Sequence, residues 1–191
     1  MTDTLALTTG EQVAQSKLEV SGAPLIADVN VLVRFAHPYV GDLSLKLIHQ
    51  ASGREVTLLN RPGVPPLHFG CKYDDIAAVF SDEATLDAET VCEPSTPTLN
   101  GAFLPTETLS AFDGVSGDGT WVLDIIDHDP FVDTGTLLEW KLQLCSAVAQ
   151  PGDMRLLDNQ SPLVQGRAAT NHEDKEDQAA SRQLFLPFVV R

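Results

Sequence analysis

The chain has 191 residues, 43% of them hydrophobic, which is enough for one ordinary domain with a core plus a tail. Its net charge is −15, and counting to residue 149 gives 21 acids against 7 bases, so 14 of those charges lie in the first part of the chain. Such an acidic body repels phosphate backbones and anionic lipid, which excludes nucleic acid and the membrane surface and leaves divalent cations or basic partners.

The opening MTDTLALTTG lacks the charged start and apolar stretch of a secretory signal, and no apolar run reaches the roughly 18 residues of a spanning helix. The first short strand is predicted at Lys17 to Val20. Val29, Val31, Val33 and Phe35 alternate with Asn30, Leu32 and Arg34, the period of a strand with one face on a core. Leu43, Leu45 and Leu47 repeat it, and AHPYVGD between the two supplies Pro and Gly, so a hairpin with a slightly long connection is expected. Further strands are predicted at Glu55 to Leu59, Ala77 to Phe80, Thr120 to Asp127 and Thr136 to Cys145, with no ten-residue helical stripe anywhere. Many short strands between turn signals predict an all-β fold, an antiparallel jelly-roll β-sandwich with a C-terminal polar tail.

In the last strand pair Trp121, Leu123 and Ile125 share one face, and Leu138, Trp140, Leu142 and Leu144 share another. Both tryptophans are therefore core candidates. The domain is expected over 12–149, after an N-terminal extension at 1–11. A polar, aperiodic linker or tail follows at 150–183, and a short apolar segment, LFLPFVVR, closes the chain at 184–191. That segment reads either as an extra edge strand or as a terminal sorting or anchoring signal.

Cys71 and Cys92 enclose a Pro-, Asp- and Thr-rich loop without the close paired spacing of a zinc site, which favours a disulfide and an oxidising compartment; Cys145 is left over, as a free thiol or as the partner of one of the others. His37, His49, His68, His128 and His172 never fall at zinc-ligand spacing. His37, Asp42 and Ser44 lie close in sequence without the marks of a serine nucleophile, and GVSGDG at 114–119 leads into a strand where a nucleophile elbow would lead into a helix. Asp124 has the outward parity of its strand, so it does not pair with Asp127 as a glycosidase would require. Asp127, Asp129 and Asp133 with Gly135 fill one short break between strands. They could give calcium three carboxylates and turn carbonyls, or form a solvated turn held by Asp-to-backbone hydrogen bonds; the spacing is not that of an EF-hand.

DVNVLVRFAHPYVGDLSLKLIHQASGREVTLL, then VFSDEA, LSAFDGVSGDGTWVLDIID and DTGTLLEWKLQL, resemble the P domain, or Homo B domain, of the proprotein convertase (kexin-like) family, in its secreted bacterial form. The resemblance covers roughly Gln12 to Ser146. It is carried by His37 with Gly41-Asp42-Leu43, by Asp82, by Leu109 to Gly114, by Gly119-Thr120-Trp121 and by Asp133 to Gly135 before Trp140. Two departures are a shortened N-terminal strand and the lack of a preceding catalytic domain in this chain. The resemblance implies a structural place for His37, Trp121 and Trp140 and a Cys71–Cys92 bridge. It singles out Asp42 and Asp82 too: a charged side chain beside a core strand is paired, hydrogen-bonded or on a cation, so either could join a metal site or brace the chain through backbone amides, with bracing expected for Asp42 and the role of Asp82 open. It also implies a non-catalytic, secreted or extracellular domain that stabilises or regulates a subtilisin-like serine endopeptidase by packing against it. The rival expectation is a stand-alone extracellular module for carbohydrate or protein, and an independent hydrolase relying on Asp42, Asp127 or Asp133 comes third.

Overall fold

A computed structural model of the chain describes residues 3–4, 12–64, 67, 69–129, 135–147 and 185–190. Over these the chain forms β1 (Asp3–Thr4), β2 (Gln12–Val20), β3 (Asp28–Ala36), β4 (Leu43–His49) and β5 (Arg54–Asn60), followed by β6 (Ile76–Phe80), β7 (Leu99–Phe103), β8 (Gly119–Asp127), β9 (Thr136–Ala147) and β10 (Phe185–Val190). Among the described residues the helical elements are three short 3-10 turns, at Val40–Asp42, Ala88–Thr90 and Leu109–Phe112.

One sheet has the order β1-β9-β3-β6-β7, with β10 also on β9, and the other runs β2-β8-β4-β5. Their facing sides make the core. Val29, Val31, Val33 and Phe35 from one sheet meet Leu43, Leu45, Leu47, Trp121, Leu123 and Ile125 from the other, all buried. The alternation that predicts strands is thus the alternation between core and solvent.

The architecture is a two-sheet β-sandwich, but the antiparallel jelly roll is corrected. β6 and β7 run parallel, from Ile76↔Leu99 to Phe80↔Phe103, and the sheets do not close on one another. A parallel pair needs a long connection, and residues 81–98 provide it. β7 itself was not expected, because LNGAF buries only its two ends.

The hairpin expected between β3 and β4 is also corrected. β3 pairs with β6 and β9, whereas β4 pairs with β5 and β8, so the connection crosses from one sheet to the other. Its Val40 is fully buried, and the N–H groups of Val40 and Gly41 donate to Tyr73 O and Cys71 O at 3.0 and 2.8 Å. The segment is anchored in the interior where a hairpin loop would be free.

β9 departs from strict alternation. Arg34 pairs with Glu139 but Phe35 with Leu137, so Leu138 is the extra residue of a bulge. Leu137 is consequently buried and Leu138 is 46% exposed, the reverse of the parity expected for Leu138. Trp140 is half-buried at the open side of the sandwich, and its Nε1–H donates to Ser16 Oγ of β2 at 3.0 Å. Trp121 is fully buried. It meets Phe112 edge-on, stacks on His49 and donates Nε1–H to Gly117 O.

β2 pairs with β8 from Gln12↔Asp127 to Val20↔Gly119, so the edge expected to be short is a nine-residue strand. β10 adds to the edge of β9 from Phe185↔Ala147 to Val190↔Leu142, the first of the two readings of the apolar C-terminal segment. Its Pro187 suits an edge strand, where a missing N–H interrupts no second ladder. Residues 1–2, 5–11 and 148–184, with most of the proposed extension and linker, lie outside the described residues.

Candidate functional site

β3, β4 and β8 bring their ends together at one pole of the sandwich. β8 carries its inward parity one residue past the apolar run, so that after Trp121, Leu123 and Ile125 the next inward side chain is Asp127, which is 1% exposed. His37, one residue past β3, faces it, with Nε2 3.4 Å from Asp127 Oδ2. The Tyr39 N–H donates to His37 Nδ1 at 3.1 Å, so that nitrogen is the acceptor and Nε2–H is directed at the carboxylate. The His37 N–H donates to Asp75 Oδ1 at 2.9 Å. A buried acid is here held by an imidazole whose tautomer and position are both fixed.

The other oxygen of Asp127 turns the chain. Oδ1 accepts the Asp129 N–H at 3.0 Å, an Asx turn, and Asp129 is exposed. Asp133 lies outside the described residues. Gly135 is buried against β3, and a Cβ there would lie 2.7 Å from both His37 Cδ2 and Phe35 Cζ. Only glycine lets Phe35 and His37 keep their places, which explains the last letter of the Asp-Thr-Gly signal.

Asp42 comes to the same pole from the 3-10 turn. Its backbone O accepts the His128 N–H at 2.8 Å, while its carboxylate lies 3.8 Å from Arg61 Nη2. The expected bracing by backbone amides is corrected: the carbonyl braces, and the carboxylate faces a guanidinium. Burial pushes this carboxyl above its ordinary range, Asp129 adds to the rise, Arg61 opposes it, and Asp127 contributes further. Asp42, Asp127 and Asp129 therefore bear on one another electrostatically.

Asp82 is elsewhere. Its two oxygens accept the Leu109 and Ser110 N–H groups at 2.9 and 2.8 Å, capping the 3-10 turn Leu109–Phe112, for which Thr108 supplies no side-chain cap. The cap keeps Leu109 and Phe112 in the core.

Sequence reasoning missed the pairing of Ser44 with His128, 2.9 Å from Oγ to Nε2. The Ser44 hydroxyl donates to Asn60 Oδ1 at 3.1 Å, so the imidazole is its donor and does not act as its base. The two are 84 residues apart and are brought together by the β4–β8 pairing, which sets Ser44 against Ile126. Asp124 and Asp127 fall on opposite faces of β8, which removes the glycosidase pair.

Cys71 and Cys92 form a disulfide with their Cα atoms 5.4 Å apart, and Cys145 is a buried free thiol. Burial and then the neighbouring Asp28 push the Cys145 thiol above its ordinary range. Among the described residues no group of three or more His, Cys, Asp or Glu side chains is disposed to hold a metal ion, and no helix is long and apolar enough to cross a membrane. Residues 26–144 match the model of a family described as the proprotein convertase P-domain. A search of curated proteins finds no match.

Proposed function

Because the chain belongs to the proprotein convertase P-domain family, we propose that it is a non-catalytic domain that stabilises or regulates a subtilisin-like serine endopeptidase by packing against it. The observation that carries this reading is the family match over 26–144 on a sandwich whose polar residues serve its own fold. Asp127 holds His37 and a turn, Asp82 caps one, and the hydroxyl of Ser44 is spent on Asn60. The Cys71–Cys92 disulfide supports an extracellular or otherwise oxidising location. The test is to express a subtilisin-like catalytic domain with and without this chain. The expected result is a longer half-life of protease activity at elevated temperature in the pair, and no turnover of peptide substrates by the chain alone. An unchanged half-life refutes the reading.

A structural calcium completes the proposal, held by Asp127, Asp129 and Asp133 with Asp42 at its flank. Asp82 is left out, since it lies away from this pole, at the 3-10 turn Leu109–Phe112 that it caps. Support comes from the mutual repulsion at the pole, where burial and two neighbouring carboxylates raise Asp42, a cost that a divalent cation would offset. Calcium at a hundredfold excess over its Kd should raise the melting midpoint by about 5–10 °C, and Asp129→Asn should remove most of the shift. A midpoint that does not move refutes the site.

A further inference from the structure

The sandwich is open along one side, where the edge of β2 faces the edge of β9. β2 is the last strand of its sheet, so among the described residues its far edge has no partner strand. The outer edge of β9 is taken by β1 at Thr136 and Leu137 and by β10 from Leu142 to Ala147, which leaves Leu138 to Lys141 bare between them. Ser16, Lys17 and Leu18 of β2 and these four residues of β9 line a groove of about 630 Å³. The Trp140 Nε1–H, donated to Ser16 Oγ at 3.0 Å, ties its two walls together. Leu138, turned outward by the bulge, adds apolar surface to it.

The groove is basic on an acidic body. Lys17, Arg34 and Lys141 line it against one acid, Glu139, whereas the whole stretch to residue 149 has 21 acids against 7 bases. Glu139 Oε1 lies 2.7 Å from Lys141 Nζ, so these two offset each other. The remaining bases are engaged elsewhere. Lys46 is held by Glu55 and Arg61 by Asp42, Arg54 donates to the carbonyls of Ala111 and Asp113, and Lys72 lies over the Tyr73 ring. Lys17 and Arg34 are both exposed, and among the described residues neither is in an ion pair. On a body so rich in carboxylates, two cations left to solvent at one groove favour an anionic occupant.

The strand edges select its class. Bare N–H and C=O groups along an edge are a template for another extended backbone, which neither a glycan nor a lone anion supplies. A second copy presenting the same edge of β2 would bring two Lys17 side chains to one seam, a repulsion that opposes the pairing. An extended segment with acidic side chains at alternate positions meets Lys17 and Arg34, and the apolar side chains between them meet Leu18, Leu138 and Trp140.

We propose that the groove between the edges of β2 and β9 is a docking site for an extended segment of a partner polypeptide in which acidic and apolar side chains alternate. The inference goes beyond the protease reading and does not depend on it, because it rests on the strand edges and on Lys17 and Arg34.

The test uses the full chain and a nine-residue peptide alternating glutamate with valine. Its binding should shift the Trp140 indole N–H and the Ser16–Leu18 amides in NMR spectra. A lysine–valine peptide should bind about tenfold more weakly, and Lys17→Gln combined with Arg34→Gln should weaken the glutamate peptide about tenfold. Both replaced side chains are exposed, so an unaltered melting midpoint verifies that the variant is folded. Two further glutamate peptides are N-methylated, one on its glutamates and one on its valines. One of these should lose about tenfold, since alternate amides of a strand face its neighbour. Equal binding by the two charge types, by the variant, or by all three backbone forms overturns the proposal. A sulfated hexasaccharide that displaces the peptide and binds more tightly overturns it in favour of a glycan site. The chain's own acidic run is tested by Glu173→Gln, Asp174→Asn, Glu176→Gln and Asp177→Asn together. If that variant binds the peptide about tenfold more tightly, the groove belongs to this run, held at high effective concentration, and the partner is overturned.

Discussion

Gly41→Ala is expected to cost about 3 kcal/mol. The new Cβ would lie 2.6 Å from Gly70 C and 2.7 Å from Gly70 Cα, with the Cys71 nitrogen closer still, and all three are backbone atoms that no rotamer change can move. Restoring an ordinary 3.4 Å contact to Gly70 C means opening the two segments by 0.8 Å. That strains the 2.8 Å hydrogen bond from the Gly41 N–H to Cys71 O and the packing of fully buried Val40. Overpacking costs about 1–3 kcal/mol and a buried hydrogen bond left unmade about 1–3 kcal/mol. Gly53→Ala is the control, since Gly53 has φ +69° with nothing within 4 Å of its Cβ, and it should cost only the left-handed penalty of about 1–2 kcal/mol. Urea denaturation of both variants, with the slope checked for constancy, measures the difference. In a Cys92→Ser background, where Cys71 can retreat, Gly41→Ala should cost less, a coupling that a double-mutant cycle isolates. Equal costs for Gly41→Ala and Gly53→Ala would show that the contact is not what holds the segments together, and the reasoning fails.

Cys92→Ser should lower stability by about 3 kcal/mol on the loop-entropy relation for the separation of 21 residues, read as a drop in the urea midpoint. Asp82→Ala should cost about 1–2 kcal/mol by uncapping the turn at Leu109, and Asp82→Asn less, because one acceptor oxygen remains; thermal melting distinguishes them. Asp42 is raised in the folded state by burial, Asp129 and Asp127 against the opposing pull of Arg61. As pH rises from the ordinary carboxylate range through that raised value, the folded state keeps a proton the unfolded chain has lost, so stability falls across the window. Asp42→Asn should therefore stabilise the protein at pH 7 in chelator and leave it unchanged near pH 3; the same gain at both pH values would refute this account.

The residues that predict strands are the ones whose period is enforced by a core. Val29 to Phe35, Leu43 to Leu47 and Trp121 to Ile125 each present one face to the facing sheet, and each is readable from its own letters. What the letters do not contain is which strand lies beside which. β3 and β4 read as a hairpin because Pro and Gly separate them, yet the anchors of the connection, Tyr73 O and Cys71 O, lie some thirty residues on. The bulge that turns Leu138 outward is likewise a matter of register with Arg34 and Phe35, invisible in β9 alone. The same limit applies at the pole. An acid-rich turn at Asp127 and Asp129 is legible, and Cys71–Cys92 is inferable from the loop it encloses. The facing of His37 to Asp127, of Ser44 to His128 and of Asp82 to Leu109 spans 90, 84 and 27 residues, and only the closed sandwich brings these pairs together.

The strand order also dictates when the domain can fold. β8 lies between β2 and β4, and β9 joins β3 to β1 and β10, so each sheet is held together by a strand from the single stretch between Gly119 and Ala147. A nascent chain ending before Gly119 has the β4–β5 and β3–β6–β7 pairings and nothing to join β2 to either sheet. Cooperative folding must wait for the late segment, and pairings such as Gln12↔Asp127 and Asp28↔Cys145 close very long loops when it arrives. Topology of this kind folds in milliseconds to seconds after the closing strands are available. Until then the apolar faces of β3 and β4 lack the cover of Trp121, Leu123, Ile125, Leu142 and Leu144, and the chain is exposed to aggregation during the wait.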